Sequence, residues 1–161
     1  MDLNESTGTA TEWAEVPRPN SYEELFKYYG NPFTDPNFES KYIVTRAHVI
    51  GGGQTINVRC HIAVADKVHN ALADIVKGNM LALLNEYDGA FVVRNIRGST
   101  HPSLHSWGLA IDFDASKYPL GSNNRLPHDI IVAFKNQGFF YGGDFHHRLD
   151  PMHFEYTGGS I

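Results

Sequence analysis

The stretch Gly108-Leu109-Ala110-Ile111-Asp112-Phe113-Asp114 decides how this chain is read. Successive side chains of a strand point to opposite faces. Ile111 and Phe113 then share one face, and Ala110, Asp112 and Asp114 share the other. Met152-His153-Phe154-Glu155-Tyr156 follows the same rule. Phe154 and Tyr156 turn to a core, and His153 and Glu155 oppose them. If the two strands are neighbours, Asp112 and His153 converge. His105 joins them from the loop before Gly108. Two histidines and an aspartate are a ligand set of the type catalytic zinc uses, with a fourth position left open.

The flanking segments supply the rest of a domain. Ser21-Tyr22-Glu23-Glu24 reads as a capping box, which predicts a short helix over 22–29 stopped at Gly30. Asn31 to Ser40, with Pro32 and Pro36, reads as loop. Tyr42 to Ile50 and Ile56 to Cys60 are β-rich runs on either side of Gly51-Gly52-Gly53, fit for a hairpin with a loose turn. Val64, Val68, Ala71, Leu72 and Ile75 recur on one helical face. Ala90 to Ile96 reads as a strand opened by Asp88-Gly89. Pro127 starts a helix that Gly138 ends, and Met152 to Thr157 is a last strand. Helices and strands mix without βαβ alternation. The expected class is therefore α+β, with a mainly antiparallel sheet flanked by helices.

Composition narrows the function. The 161 residues suit one domain. Residues 1–20 are polar, carry Pro17 and Pro19, and read as an extended or disordered lead-in to a domain over 21–161. Net charge is −5, which argues against a nucleic-acid partner and against a polybasic membrane anchor. The N-terminus lacks the basic and apolar regions of a signal peptide, and no apolar run is long enough to span a membrane. One cysteine excludes an internal disulfide and a cysteine-rich zinc site, so any metal must be held by histidine and carboxylate.

Two motifs, in order, carry a resemblance. Ser103 to Asp112 fits S-x-H-x-x-G-x-A-x-D, and Asp150-Pro151-Met152-His153 fits D/E-x-x-H. Together they resemble the M15-type zinc peptidoglycan peptidases, which include D-alanyl-D-alanine carboxypeptidases and phage L-alanyl-D-glutamate endolysins. Gly142-Gly143-Asp144-Phe145 resembles a segment of the endolysin-like branch. The resemblance covers residues 88–157 well and the N-terminal half loosely. It implies the hedgehog/DD-peptidase fold, with Zn2+ bound by His105, Asp112 and His153. Asp150 falls on the general base and acid. An arginine upstream of the first motif faces the oxyanion. Arg94 and Arg97 both lie there, and Arg97, nearer the loop, is favoured.

The implied substrate is the peptide stem of bacterial peptidoglycan, cut by a monomeric enzyme made without a signal and acting on the wall. An L-alanyl-D-glutamate endopeptidase of phage lysis is favoured. A D-alanyl-D-alanine carboxypeptidase is second, and a non-enzymatic virion or wall-binding module with zinc as a clamp is a third reading.

Other polar residues have simpler readings. Asp114 and Glu155 are expected to hydrogen-bond near the metal or face solvent, not to ligate. His101, His146 and His147 read as surface residues, with a place in the substrate cleft as the alternative for one of them; His48, His61, His69 and His128 read as structural or surface residues. Cys60 reads as a small buried side chain. Phe139, Phe140, Tyr141 and Phe145 read as core, with Tyr141 able to reach the site. Ser103 either orients a ligand or caps its loop.

Overall fold

A computed structural model describes residues 10–161. Helix α1 (Ala10–Ala14) leads to α2 (Tyr22–Tyr29) and α3 (Phe38–Tyr42). The hairpin strands β1 (Ile43–Ile50) and β2 (Gln54–His61) run directly into α4 (Ile62–Lys77). Strands β3 (Tyr87–Gly89) and β4 (Ala110–Phe113), helix α5 (His128–Asn136), and strands β5 (Phe140–Tyr141) and β6 (His153–Glu155) complete the chain. The second sheet has the order β3-β4-β6-β5, and all its pairs are antiparallel. This is a single α+β domain. No described helix is long and apolar enough to cross a membrane.

Local chemistry explains the elements. Ser21 caps α2 by accepting from the Glu24 N–H, while the Glu24 carboxylate accepts from the Asn20 N–H. These bonds satisfy donors that a helix start leaves open. The apolar stripe of α4 is buried as its spacing predicts, from Val64 through Ile75. It packs beside α5, whose Phe134 stacks on Phe154 of β6 at 4.5 Å between ring centroids. Phe113, Phe134 and Phe154 are all fully buried. Burial of side chains this size stabilises by roughly 1.5–3 kcal/mol each.

Three segments differ from the sequence reading. Within the lead-in, Ala10–Ala14 is helical, and Trp13 stacks on Tyr29. Tyr29 also donates to the Pro17 carbonyl. Aromatic packing thus orders a stretch whose polar composition suggested otherwise; residues 1–9 lie outside the described residues. The loop 31–40 yields its end to α3, because Phe38 finds a buried place against Tyr42 and Phe91. Finally, the strand expected over Ala90 to Ile96 lies earlier, at Tyr87–Gly89. Residues 90–96 form no strand, and their isolated bridge joins Asn95 to Pro102.

His61 joins the hairpin to α4 and is fully buried. Its Nδ1 accepts from the Ala63 N–H, so it caps the helix in the neutral form. The rings of Trp13, Tyr29, Phe38 and Tyr42 surround it. Burial pushes the imidazole down to about 3. The unfolded chain takes up this proton near pH 6.5, and the folded chain does not. Stability from His61 is therefore complete above pH 6.5. It falls by on the order of 1.4 kcal/mol per pH unit as pH drops from there towards 3. Denaturant titrations at pH 7.5 and 4.5 should show a smaller acid loss for His61→Asn than for the unmodified chain. Equal losses would remove His61 as the cause.

Candidate metal and active site

The register of the second sheet brings the polar residues together. In the β4–β6 ladder Asp112 lies directly opposite His153, and Ala110 opposite Glu155. His105 comes from the 3-10 turn Leu104–Trp107. Ser103 caps that turn by accepting from the His105 N–H, which selects its capping role. Trp107 is fully buried and donates from Nε1 to the Gly30 carbonyl, which ties the turn to the end of α2. Gly108 ends the turn at φ +69, and a Cβ there would meet the His61 backbone nitrogen at 2.7 Å. The glycine of the motif is thus required twice, by conformation and by space.

His105, Asp112 and His153 are all buried, and their donor atoms lie within 4.8 Å of one another. Asp112 Oδ2 is 3.0 Å from His105 Nε2, and Oδ1 is 2.9 Å from His153 Nδ1. Two imidazole nitrogens and a carboxylate oxygen gathered this closely are the donor set that a zinc-like ion takes. The outer nitrogens are already engaged. His105 Nδ1 donates to the Ala90 carbonyl at 2.7 Å, which leaves Nε2 as the free lone pair. His153 Nε2 meets Glu155 Oε1 at 2.8 Å, and Thr157 donates to the other Glu155 oxygen. Such outer bonds fix ring orientation and raise the basicity of a ligand. These three residues can hold a metal ion.

The charges are coupled. Burial would raise the Asp112 carboxyl, but His105 and His153 overcome it and hold it well below the usual range. Burial disfavours the His153 cation, yet Asp112 and Glu155 outweigh it and lift the imidazole well above its ordinary value. Asp150 shows the opposite balance: burial pushes its carboxyl up against the pull of His153. Its Oδ2 lies 3.8 Å from His153 Nδ1, and its Oδ1 is buried with no hydrogen-bond partner. Buried oxygens are nearly always satisfied, so an orphan marks a place where a further group belongs. Tyr141 braces the turn behind it. It donates to the Pro151 carbonyl and accepts from the Leu126 N–H, a core role with one link to the site.

The four residues open into a cleft of about 430 Å3. Arg94 and Arg97 both line it. On a continuous strand, residues three apart face opposite ways. Here the chain turns after Ile96, where Ser99 N–H bonds the Ile96 carbonyl, and Arg97 swings back to the same cleft. Phe145 also lines the cleft and packs 5.9 Å from the His153 ring, so it is a wall and not core. His147 stacks on it, also at the cleft. Asp144, in the Gly-Gly-Asp segment, instead pairs with Arg125 and Lys135. Asp114 accepts from the Asn85 N–H in a turn.

Two cleft residues escape the sequence reading. Asp88 lines the wall, and burial pushes its carboxyl up to about 6. Its signal was its position just before Gly89, which pairs with Asp112. Arg148 sits in a histidine-rich loop with no pattern to mark it.

A family model described as D-alanyl-D-alanine carboxypeptidase matches residues 97–156. That segment contains His105, Asp112, Asp150, His153, Glu155 and Arg97, and excludes Arg94. No curated protein and no solved structure matches the chain.

Proposed function

We propose that this chain, whose residues 97–156 match a family model described as D-alanyl-D-alanine carboxypeptidase, is a zinc-dependent peptidase of the M15 type that hydrolyses an amide bond in the peptide stem of bacterial peptidoglycan. The observation that carries the reading is Asp150. A carboxylate with a buried, unpartnered oxygen faces the same cleft as the His-Asp-His cluster. A purely structural metal clamp has no use for such a group, which disfavours the non-enzymatic reading.

When bound by His105, Asp112 and His153, a divalent ion supplies Lewis acidity and eases the deprotonation of water at neutral pH. Asp150 accepts the proton of the attacking water on a carboxylate oxygen and returns it to the leaving amine nitrogen. Glu155 holds His153 in one orientation throughout, as the Ala90 carbonyl holds His105. The Arg97 or Arg94 guanidinium faces the carbonyl oxygen as negative charge develops on it. Phe145, Val92 and Ile96 give the cleft apolar walls that limit water.

The favoured reaction is L-alanyl-D-glutamate endopeptidase activity of the phage endolysin type, supported by the Gly142-Gly143-Asp144 segment. D-alanyl-D-alanine carboxypeptidase activity is the second reading, supported by the family model that matches residues 97–156. Purified peptidoglycan embedded in a gel should clear around the protein, lose that clearing with a chelator, and regain it with Zn2+. Mass spectrometry of the released fragments identifies the bond. Clearing that survives complete metal removal would defeat the proposal.

A further inference from the structure

The chain has seven arginines. Arg46, Arg59 and Arg125 each pair with a carboxylate, and Arg18 donates to the Gly138 carbonyl. The other three, Arg94, Arg97 and Arg148, all line the cleft. Among the described residues none of the three has a carboxylate within ion-pair distance. This is unexpected in a chain with 18 acidic residues against 13 basic ones. Three of the cleft's four side-chain carboxylates are committed elsewhere, and the fourth, Asp150, lies beside His153 and not beside an arginine. Asp112 serves the two histidines, Glu155 serves His153 and Thr157, and Asp88 accepts from the Ala115 N–H.

Arg148 has a second feature. Its Nη2 donates to the Arg97 carbonyl at 2.6 Å, across 51 positions of sequence. The bond ties the loop after Gly142–Asp144 to the loop after Ile96, and those loops form two walls of the cleft. One guanidinium edge is used in this bond, and the rest stays free at the rim. The Arg97 backbone is thereby held beside it. A guanidinium is a planar fork matched to a carboxylate, and a concave wall strengthens the match by excluding solvent.

We propose that Arg148, tied to the Arg97 carbonyl, binds a free carboxylate adjacent to the scissile amide, so that the cleft selects acid-bearing peptides over neutral ones. The proposal rests on the peptidase reading above and names the substrate class within it. Arg148 is a specificity residue here, separate from the proton transfer at Asp150.

The test uses the full chain with metal bound and two pairs of synthetic peptides. One pair is L-alanyl-γ-D-glutamyl-lysine with the D-glutamyl α-carboxyl free or as the carboxamide. The other is lysyl-D-alanyl-D-alanine with its C-terminus free or amidated. In the pair that is cut, the acid should be preferred by ~10- to 100-fold in kcat/KM. Arg148→Ala should raise KM for the acid by a similar factor, leave kcat in place, and leave the amide unchanged. Arg148→Lys should keep part of the preference, as a point charge without the fork. The preference should also shrink with added salt. Calorimetric binding of the same peptides to the full-length Asp150→Asn variant gives the comparison without turnover. Equal treatment of acid and amide by the unmodified chain overturns the proposal. So does an equal loss on both peptides in Arg148→Ala, the mark of a merely structural role. If walls are opened while acid and amide are treated alike, this inference alone falls. If neither walls nor peptides are cut, the peptidase reading falls and takes this inference with it.

Discussion

Asp150→Asn should lower hydrolysis of the wall peptide by ~10²–10⁴-fold while leaving metal content unchanged. Asp150 is not among the three clustered donors, so the ion keeps its ligands. What is lost is the group that moves a proton between water and the leaving amine. Stability should move the other way. The Asp150 Oδ1 is buried without a partner, an arrangement that costs free energy in the folded state. A neutral isostere relieves part of that cost, so the thermal midpoint should equal or exceed that of the unmodified chain. Active sites commonly hold stability in reserve in this way. Asp150→Ala should lose activity equally without the stability gain, since it leaves a small void. Three measurements decide: metal stoichiometry, thermal midpoint and gel clearing. Full wall hydrolysis by either variant would remove Asp150 from its role.

Much of the centre was legible because strand alternation and antiparallel pairing are local rules. Asp112 and His153 needed only two short strands in register to meet, and the ladder pairs them directly. The same rules failed where long-range packing decides. Trp13 could not be seen as an ordering residue until Tyr29, Tyr42 and His61 were in place around it. Arg94 and Arg97 share one cleft because the chain turns after Ile96, a turn that three-residue spacing on a strand does not reveal. Glu155 was legible as a neighbour of the metal face. Its service to His153 depended on burial of both strand faces, since His153, Phe154 and Glu155 are all buried. Arg148 had no local signal, because its partner is a backbone carbonyl 51 positions away.

Chelation should abolish hydrolysis, and the way metal returns should carry a proton signature. With no ion bound, Asp112 lies between His105 and His153, and His153 is further held by Glu155. Those two carboxylates favour the protonated imidazole of His153 and lift it well above its ordinary value. A histidine binds metal only when neutral, so loading must expel that proton. Its sign follows: apparent metal affinity falls as pH drops, approaching tenfold per pH unit while His153 stays protonated in the metal-free chain. Calorimetry of Zn2+ binding in buffers of different ionisation enthalpy measures the released proton directly, independent of activity. Asp112→Asn should lose the ion outright, because it removes the one anionic ligand of the three. Glu155→Gln should weaken binding by ~10- to 100-fold, the usual consequence of disturbing a partner behind a ligand. It should also reduce the proton released, since one of the two carboxylates that keep His153 charged is gone. Undiminished proton release in Glu155→Gln would mean that Asp112 alone sets the charge on His153, and that Glu155 acts only by packing.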